Sequence, residues 1–103
     1  IAHYKTAIKI NPNDASAYTN LGYFFEKIGN IGAAITHYKT AIKINPNYAT
    51  TYNNLGVVLA QQGSLKEAIN YFQEALRFNP DLILARKNLE RAIREYGQAS
   101  EPK

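Results

Sequence analysis

With 103 residues, 46% of them apolar and 19% charged, the chain has the make-up of one soluble globular unit with a modest core, and two independent domains are excluded. The absence of cysteine excludes disulfides, thiolate metal sites and a thiol nucleophile, and leaves the redox compartment unreadable. A net charge of +4, from 12 Lys/Arg against 8 Asp/Glu, is spread along the chain and reads as a solvated surface.

The first predicted element lies in residues 1 to 13, IAHYKTAIKINPN, which recur at 35 to 47 as ITHYKTAIKINPN with one difference. The offset is 34 residues, and the same offset aligns 15–48 with 49–82: Ala15, Tyr18, Asn20, Leu21, Gly22, Gly29, Ala34, Ile35, Ala41, Asn45 and Pro46 all recur. The chain therefore parses as half a unit (1–14), two whole units (15–48 and 49–82) and a divergent end. The half unit predicts a helix over 1–11, with Tyr4, Ala7 and Ile8 on an apolar face that lacks its packing partner.

Asp14 is placed to cap the next helix, in which Tyr18, Leu21, Phe25 and Ile28 step by three and four along one stripe. Gly29 then supplies a left-handed turn, and Ala34, Tyr38, Ala41 and Ile42 mark a second helix. The next unit repeats the order with Tyr52, Leu55 and Leu59, then Gly63, then Ala68, Phe72, Ala75 and Leu76. Ser64 with Glu67 reads as a capping box, and Pro12, Pro46 and Pro80 close the second helices by pushing the preceding asparagine out of helical geometry. Gly22 facing Ala34, and Gly56 facing Ala68, would let paired helices approach closely. The last helix, 83–97, is expected to bury Ala85, Leu89, Ala92, Ile93 and Tyr96, and to pair Arg86 with Glu90 and Glu90 with Arg94 on a solubilising outer side; 98–103 is a polar tail.

The spacing of Tyr18, Leu21, Gly22, Phe25, Ala34, Tyr38 and Pro46, repeated by Tyr52, Leu55, Gly56, Leu59, Ala68, Phe72 and Pro80, resembles that of the tetratricopeptide repeat family. The likeness covers about residues 1–97. It implies an all-α fold, an α-solenoid of stacked antiparallel helix hairpins wound as a right-handed superhelix, with a concave face lined by the first helices. Arg86 and Glu90 depart from the pattern, standing where the aromatic and the glycine belong.

Opposite the core stripe, Ser16, Thr19, Asn20, Tyr23 and Lys27 share one side of the first helix; Thr50, Asn53, Asn54, Val57 and Gln61 correspond in the next, and Leu84, Lys87, Asn88, Arg91 and Glu95 in the last. Asn20, Asn54 and Asn88 form a column. Asparagine is a mediocre helix former, but its amide both donates and accepts, as the backbone of an extended peptide requires. Units about 10 Å apart would set one asparagine against roughly every third residue of a strand rising about 3.3 Å per residue. The candidate groove is thus Asn20, Asn54, Asn88, Thr19, Asn53, Tyr23, Val57, Lys87 and Arg91, the last two placed to receive a carboxylate.

Repeats of this family usually bind peptide segments of partner proteins in the concave groove, and the asparagine column is similar to that of O-linked N-acetylglucosamine transferases. The carboxylate clamp of chaperone-binding members is not reproduced, because Thr19 and Tyr23 stand at its lysine and asparagine places, and Leu84 and Asn88 replace basic residues. The expected function is a scaffold or adaptor that binds an extended peptide. The alternative is a structural repeat fragment, engineered or recently duplicated, that self-associates through helix 1–11.

No nucleophile, base and orienting group converge, and no glycine-rich phosphate loop follows a strand, so an enzyme is not expected. His3 and His37 lack ligand partners at helical spacing, so neither a metal nor a cofactor is expected. A nucleic-acid partner is disfavoured by the weakly basic groove, and a membrane span by the lack of any apolar run near about 18 residues. There is no signal-peptide pattern, and the lack of methionine marks residue 1 as no natural start, so the chain is expected to be a piece of a longer protein whose compartment stays open, an intracellular one being favoured.

Overall fold

A computed structural model describes residues 14–100, which form five α-helices: α1 (Ala15–Lys27), α2 (Ile31–Ile44), α3 (Ala49–Gln61), α4 (Leu65–Phe78) and α5 (Ile83–Ser100). The expected helix 1–11, with Tyr4, Ala7, Ile8 and the following Pro12, lies outside the described residues, as does 101–103. Helices α1 and α2 pack as one hairpin, α3 and α4 as the next, and α5 lies against both α4 and α3. This is an all-α solenoid of helix pairs.

Local chemistry fixes most of the helix ends. Asp14 Oδ1 accepts from the Ala17 amide at 3.2 Å, and Asn30 Oδ1 accepts from the Ala33 amide at 3.2 Å, so α1 and α2 each start on a side-chain cap. Ser64 occupies the same position before α4, but its side chain makes no capping bond and the expected box with Glu67 is not formed. The Ser64 carbonyl still accepts from the Ala68 amide at 3.0 Å, so backbone bonding alone starts that helix.

Gly29 and Gly63 adopt φ of +85° and +83°. Around each, two amides fold back on the helix end: Asn30 N bonds Phe25 O at 2.8 Å and Gly29 N bonds Glu26 O at 3.1 Å, while Ser64 N bonds Leu59 O at 2.9 Å and Gly63 N bonds Ala60 O at 3.0 Å. This paired closure needs a left-handed residue, which glycine adopts without Cβ strain. Asn45 and Asn79, before Pro46 and Pro80, leave helical geometry with φ of −135° and −143° and end α2 and α4.

Tyr38, Phe72, Leu55 and Val58 are the large side chains buried most completely, with Ala34, Ala68 and Ala92 filling the gaps between them. The nearest neighbours of Gly22 and Gly56 are the aromatic rings of the paired helices. A Cβ at Gly22 would lie 2.6 Å from Tyr38 Cδ1, and one at Gly56 would lie 2.5 Å from Phe72 Cε1. The glycine thus accommodates a ring that stands one helical turn beyond the buried alanine of the paired helix.

Four further expectations are corrected. Ile28 is 55% exposed because α1 ends at Lys27, and the chain is already turning into Gly29. Ile93 and Tyr96 are exposed as well, since among the described elements α5 has α3 and α4 on one side and nothing on the other. Arg86 donates to the Pro80 carbonyl at 2.9 Å, and the ion pair on α5 joins Arg91 to Glu95 at 3.3 Å, in place of the Arg86, Glu90 and Arg94 pairing. Helix α5 also continues through Gly97 to Ser100, so part of the expected tail is helical.

Candidate functional site

The first helices of successive units, α1, α3 and α5, lie side by side, and two polar contacts tie them together. Thr19 Oγ1 and Thr51 Oγ1 are 2.7 Å apart across α1 and α3. Because the Thr19 hydroxyl donates its proton to the Ala15 carbonyl at 3.0 Å, Thr51 is the donor in that contact. Across α3 and α5, Asn88 Nδ2 donates to Asn53 Oδ1 at 3.0 Å.

These contacts correct part of the predicted groove. Thr19 and Asn53 are buried, each turned toward the next first helix, and neither is available on an open face. A helical side covers a wide arc, and the two residues lie one position before the asparagine column, on its flank. Asn88 is half-buried and holds Asn53, so one of its two amide donors serves the helix interface.

The other predicted residues fall on one side of their helices by helical spacing. Asn20, Lys87 and Arg91 are exposed, Tyr23 is 51% exposed, and Asn54 and Val57 are half-buried. Ser16, Lys27, Thr50, Gln61 and Leu84 are exposed around them, and Glu95 is half-buried. Lys27 Nζ sits 4.9 Å above the centre of the Tyr23 ring, a cation held against an aromatic face at one end of the surface. Among the described residues, neither Asn20 nor Asn54 makes a side-chain hydrogen bond, so both amides face outward with their full donor and acceptor capacity.

Between α3 and α5 this face opens into a cavity of about 140 Å³. It is lined by the apolar Val57, Ala60, Phe72 and Ala92 and by the polar Gln61, Asn88, Arg91 and Glu95. Sequence reasoning missed it, although the signal was present. One unit earlier, Glu26 and Tyr38 occupy the places of Ala60 and Phe72, and the Tyr38 hydroxyl donates to Glu26 Oε1 at 2.8 Å. Replacing that bonded pair by alanine and phenylalanine removes both polar groups and leaves space. Ala92 in the place of Val58 enlarges it.

Burial, the hydrogen bond to Glu26 and the charge of that carboxylate together raise the Tyr38 phenol well above its ordinary range. His37 stacks on Phe25 at 5.3 Å and on Tyr18 at 6.1 Å between ring centres, and so takes part in aromatic packing; His3 lies outside the described residues. Among the described residues there is no group of three or more His, Cys, Asp or Glu able to hold a metal ion, and no helix is long and apolar enough to cross a membrane.

Comparison with known proteins agrees with the architecture. Residues 1–29 and 25–63 match the family profile described as TPR repeat, and residues 49–82 match the profile described as tetratricopeptide repeat. No curated protein matches the sequence. Among solved structures, a crystal structure of MamA is similar with a TM-score of 0.85 and 29% identity, over 91% of this chain and 55% of that one. The O-GlcNAc transferase of Thermobaculum terrenum, as its K341M mutant, is similar with a TM-score of 0.83 and 30% identity, over 87% of this chain and 17% of the transferase. The first TPR of Spaghetti (RPAP3), bound to the HSP90 peptide SRMEEVD, shares the fold with a TM-score of 0.86 at 18% identity, over 91% of this chain and 75% of that one. The chain thus spans about half the length of MamA and a small part of the transferase.

Proposed function

The chain belongs to the tetratricopeptide repeat family, whose repeats are in general non-catalytic protein-interaction modules, and from that premise we propose that the face shared by α1, α3 and α5 binds an extended peptide segment of a partner protein. The observation that carries the reading is the outward pair Asn20 and Asn54. Two amides recur one unit apart, in helices where asparagine is not favoured for local stability, with donors and acceptors uncommitted among the described residues. Each can bond a peptide N–H and a peptide C=O at once. A relative of the same fold supports this: the first TPR of RPAP3 carries a bound HSP90 peptide.

The structure refines which residues to test. Asn88 also holds Asn53, so its removal would disturb the helix interface as well as the face. The informative variant is therefore Asn20→Ala with Asn54→Ala. Binding of an unbiased peptide library is measured at two salt concentrations for the native chain and the double variant, with helicity checked by circular dichroism. The expected result is salt-tolerant peptide binding that the folded double variant loses by roughly tenfold or more, the worth of one or two hydrogen bonds. Absence of binding by the native chain would refute the reading, and a steep loss of affinity with salt would point to a charged polymer instead.

A further inference from the structure

We propose that the cavity between α3 and α5 is the specificity site of this face: it receives one large apolar side chain of the bound segment, leucine to phenylalanine in size, with an acidic residue beside it facing Lys87 and Arg91. The inference rests on the peptide-binding reading above and adds the chemistry of the ligand. Four observations lead to it.

First, Val57, Ala60, Phe72 and Ala92 give the cavity an apolar part on which an apolar group gains by leaving water, while Gln61, Asn88, Arg91 and Glu95 make the rest of the lining polar. Second, the volume of about 140 Å³ admits one side chain and no more, and the cavity opens to solvent on the face shared by α3 and α5. Third, the space is particular to this pair of helices, because the Glu26 and Tyr38 pair takes the corresponding corner of the preceding unit. A groove made of like repeats thereby acquires a single distinctive position, which fixes the register of a peptide that the asparagines alone would let slide.

Fourth, positive charge is available on the helix that carries Arg91, one of the lining residues. Lys87 and Arg91 lie one turn apart on the exposed side of α5, and Lys87 has no ion-pair partner among the described residues. Arg91 pairs with Glu95, but the arginine side chain is 72% exposed and their contact is 3.3 Å, so a ligand carboxylate can exchange with Glu95 there. The partner segment is thus expected to read as an apolar anchor next to aspartate or glutamate.

The test uses the full chain and the library above. Peptides that bind are expected to share a Leu, Ile or Phe at one position with an acidic neighbour, and trimming that anchor to alanine should weaken binding by roughly 10- to 100-fold. On Ala60→Leu, which fills the cavity, the same trimming should change affinity by less than about threefold. Lys87→Ala with Arg91→Ala should erase the acidic preference and keep the apolar one. If Ala60→Leu does not fold, Val57→Phe enlarges another half-buried lining residue, occupies the same space and serves in its place. Peptides that bind through the asparagines with no apolar preference, or an anchor effect equal in native and filled proteins, overturn this inference and leave the peptide-binding reading standing. Failure of every peptide to bind the native chain overturns both.

Discussion

At the scale of the residue, the two glycines that meet aromatic rings are the least replaceable positions. In an exposed helix, alanine is favoured over glycine by about 1 kcal/mol. At Gly22 that gain is opposed by a methyl group 2.6 Å from a carbon of the fully buried Tyr38 ring, which has no room to withdraw. Overpacking of this kind costs about 1–3 kcal/mol. Gly22→Ala is therefore expected to destabilise, whereas Gly32→Ala, in α2 with nothing within 4 Å of the new Cβ, should be neutral or stabilise by up to about 1 kcal/mol. Denaturant midpoints of the two variants decide between propensity and packing. Equal shifts of the same sign would show that the rings yield.

Tyr38 supplies a second prediction at this scale. Its phenol titrates above the ordinary value near 10, mainly because the buried environment disfavours the phenolate, and then because the Glu26 carboxylate accepts its proton and repels a second negative charge. The folded state therefore binds this proton more tightly than the unfolded state. The resulting stability is complete below about pH 10 and is lost as pH rises beyond it. Alkaline unfolding of the native chain should steepen there, and Tyr38→Phe should flatten the profile. A residual slope from Tyr52 is expected, whose phenol is raised in the same direction by burial and bonds the Pro46 carbonyl at 2.6 Å. An unchanged profile in the phenylalanine variant would mean that Tyr38 does not carry the dependence.

At the scale of the element, equivalent helix ends are held by different means. Asn30 caps α2 with its side chain, while Ser64, 34 residues later, leaves its side chain out of the cap. Losing a working cap costs about 1 kcal/mol. Asn30→Ala should accordingly lower stability by about that amount, and Ser64→Ala by a few tenths of a kcal/mol. Equal losses in thermal melts would show that Ser64 caps in solution. The capping box was legible as a pattern, but whether a short hydroxyl reaches the amide depends on backbone angles that the pattern does not contain. Helix α5 shows the same limit. Its stripe of Ala85, Leu89, Ala92, Ile93 and Tyr96 is continuous in sequence, yet the neighbours on one side alone decide that Ala85 and Ala92 are buried while Ile93 and Tyr96 are exposed.

At the scale of the whole molecule, each helix pair touches its neighbours and little else, as expected of a stacked repeat. The first helices α1, α3 and α5 follow one another along the described stack. The helix interface and the proposed binding face meet at the Asn88 to Asn53 bond, which joins α5 to α3 beside the cavity. Asn88→Ala leaves the buried Asn53 carbonyl without its donor, a loss of about 1–3 kcal/mol. Asn20→Ala removes an exposed amide and should change stability by less than about 0.5 kcal/mol. A calorimetric comparison tests this division, and equal losses would show that the Asn53 contact contributes little.

What the sequence determined by itself is what periodicity and backbone chemistry encode. The 34-residue repeat, the alternation of helices, the left-handed glycines at 29 and 63 and the prolines after 45 and 79 follow from local steric rules that hold wherever those residues stand. The exposure of Asn20 followed too, because helical spacing alone sets it opposite the core stripe, whereas Asn54 at the equivalent place is half-buried. The tertiary structure alone decided matters that depend on distances between elements. It turned Thr19 and Asn53 into the interfaces between first helices, set Tyr38 and Phe72 over the glycines, and opened a cavity where Ala60, Phe72 and Ala92 converge. A helix pattern gives the direction in which a side chain leaves its own axis; how far it goes before meeting another atom is fixed by the packing of the neighbouring helix.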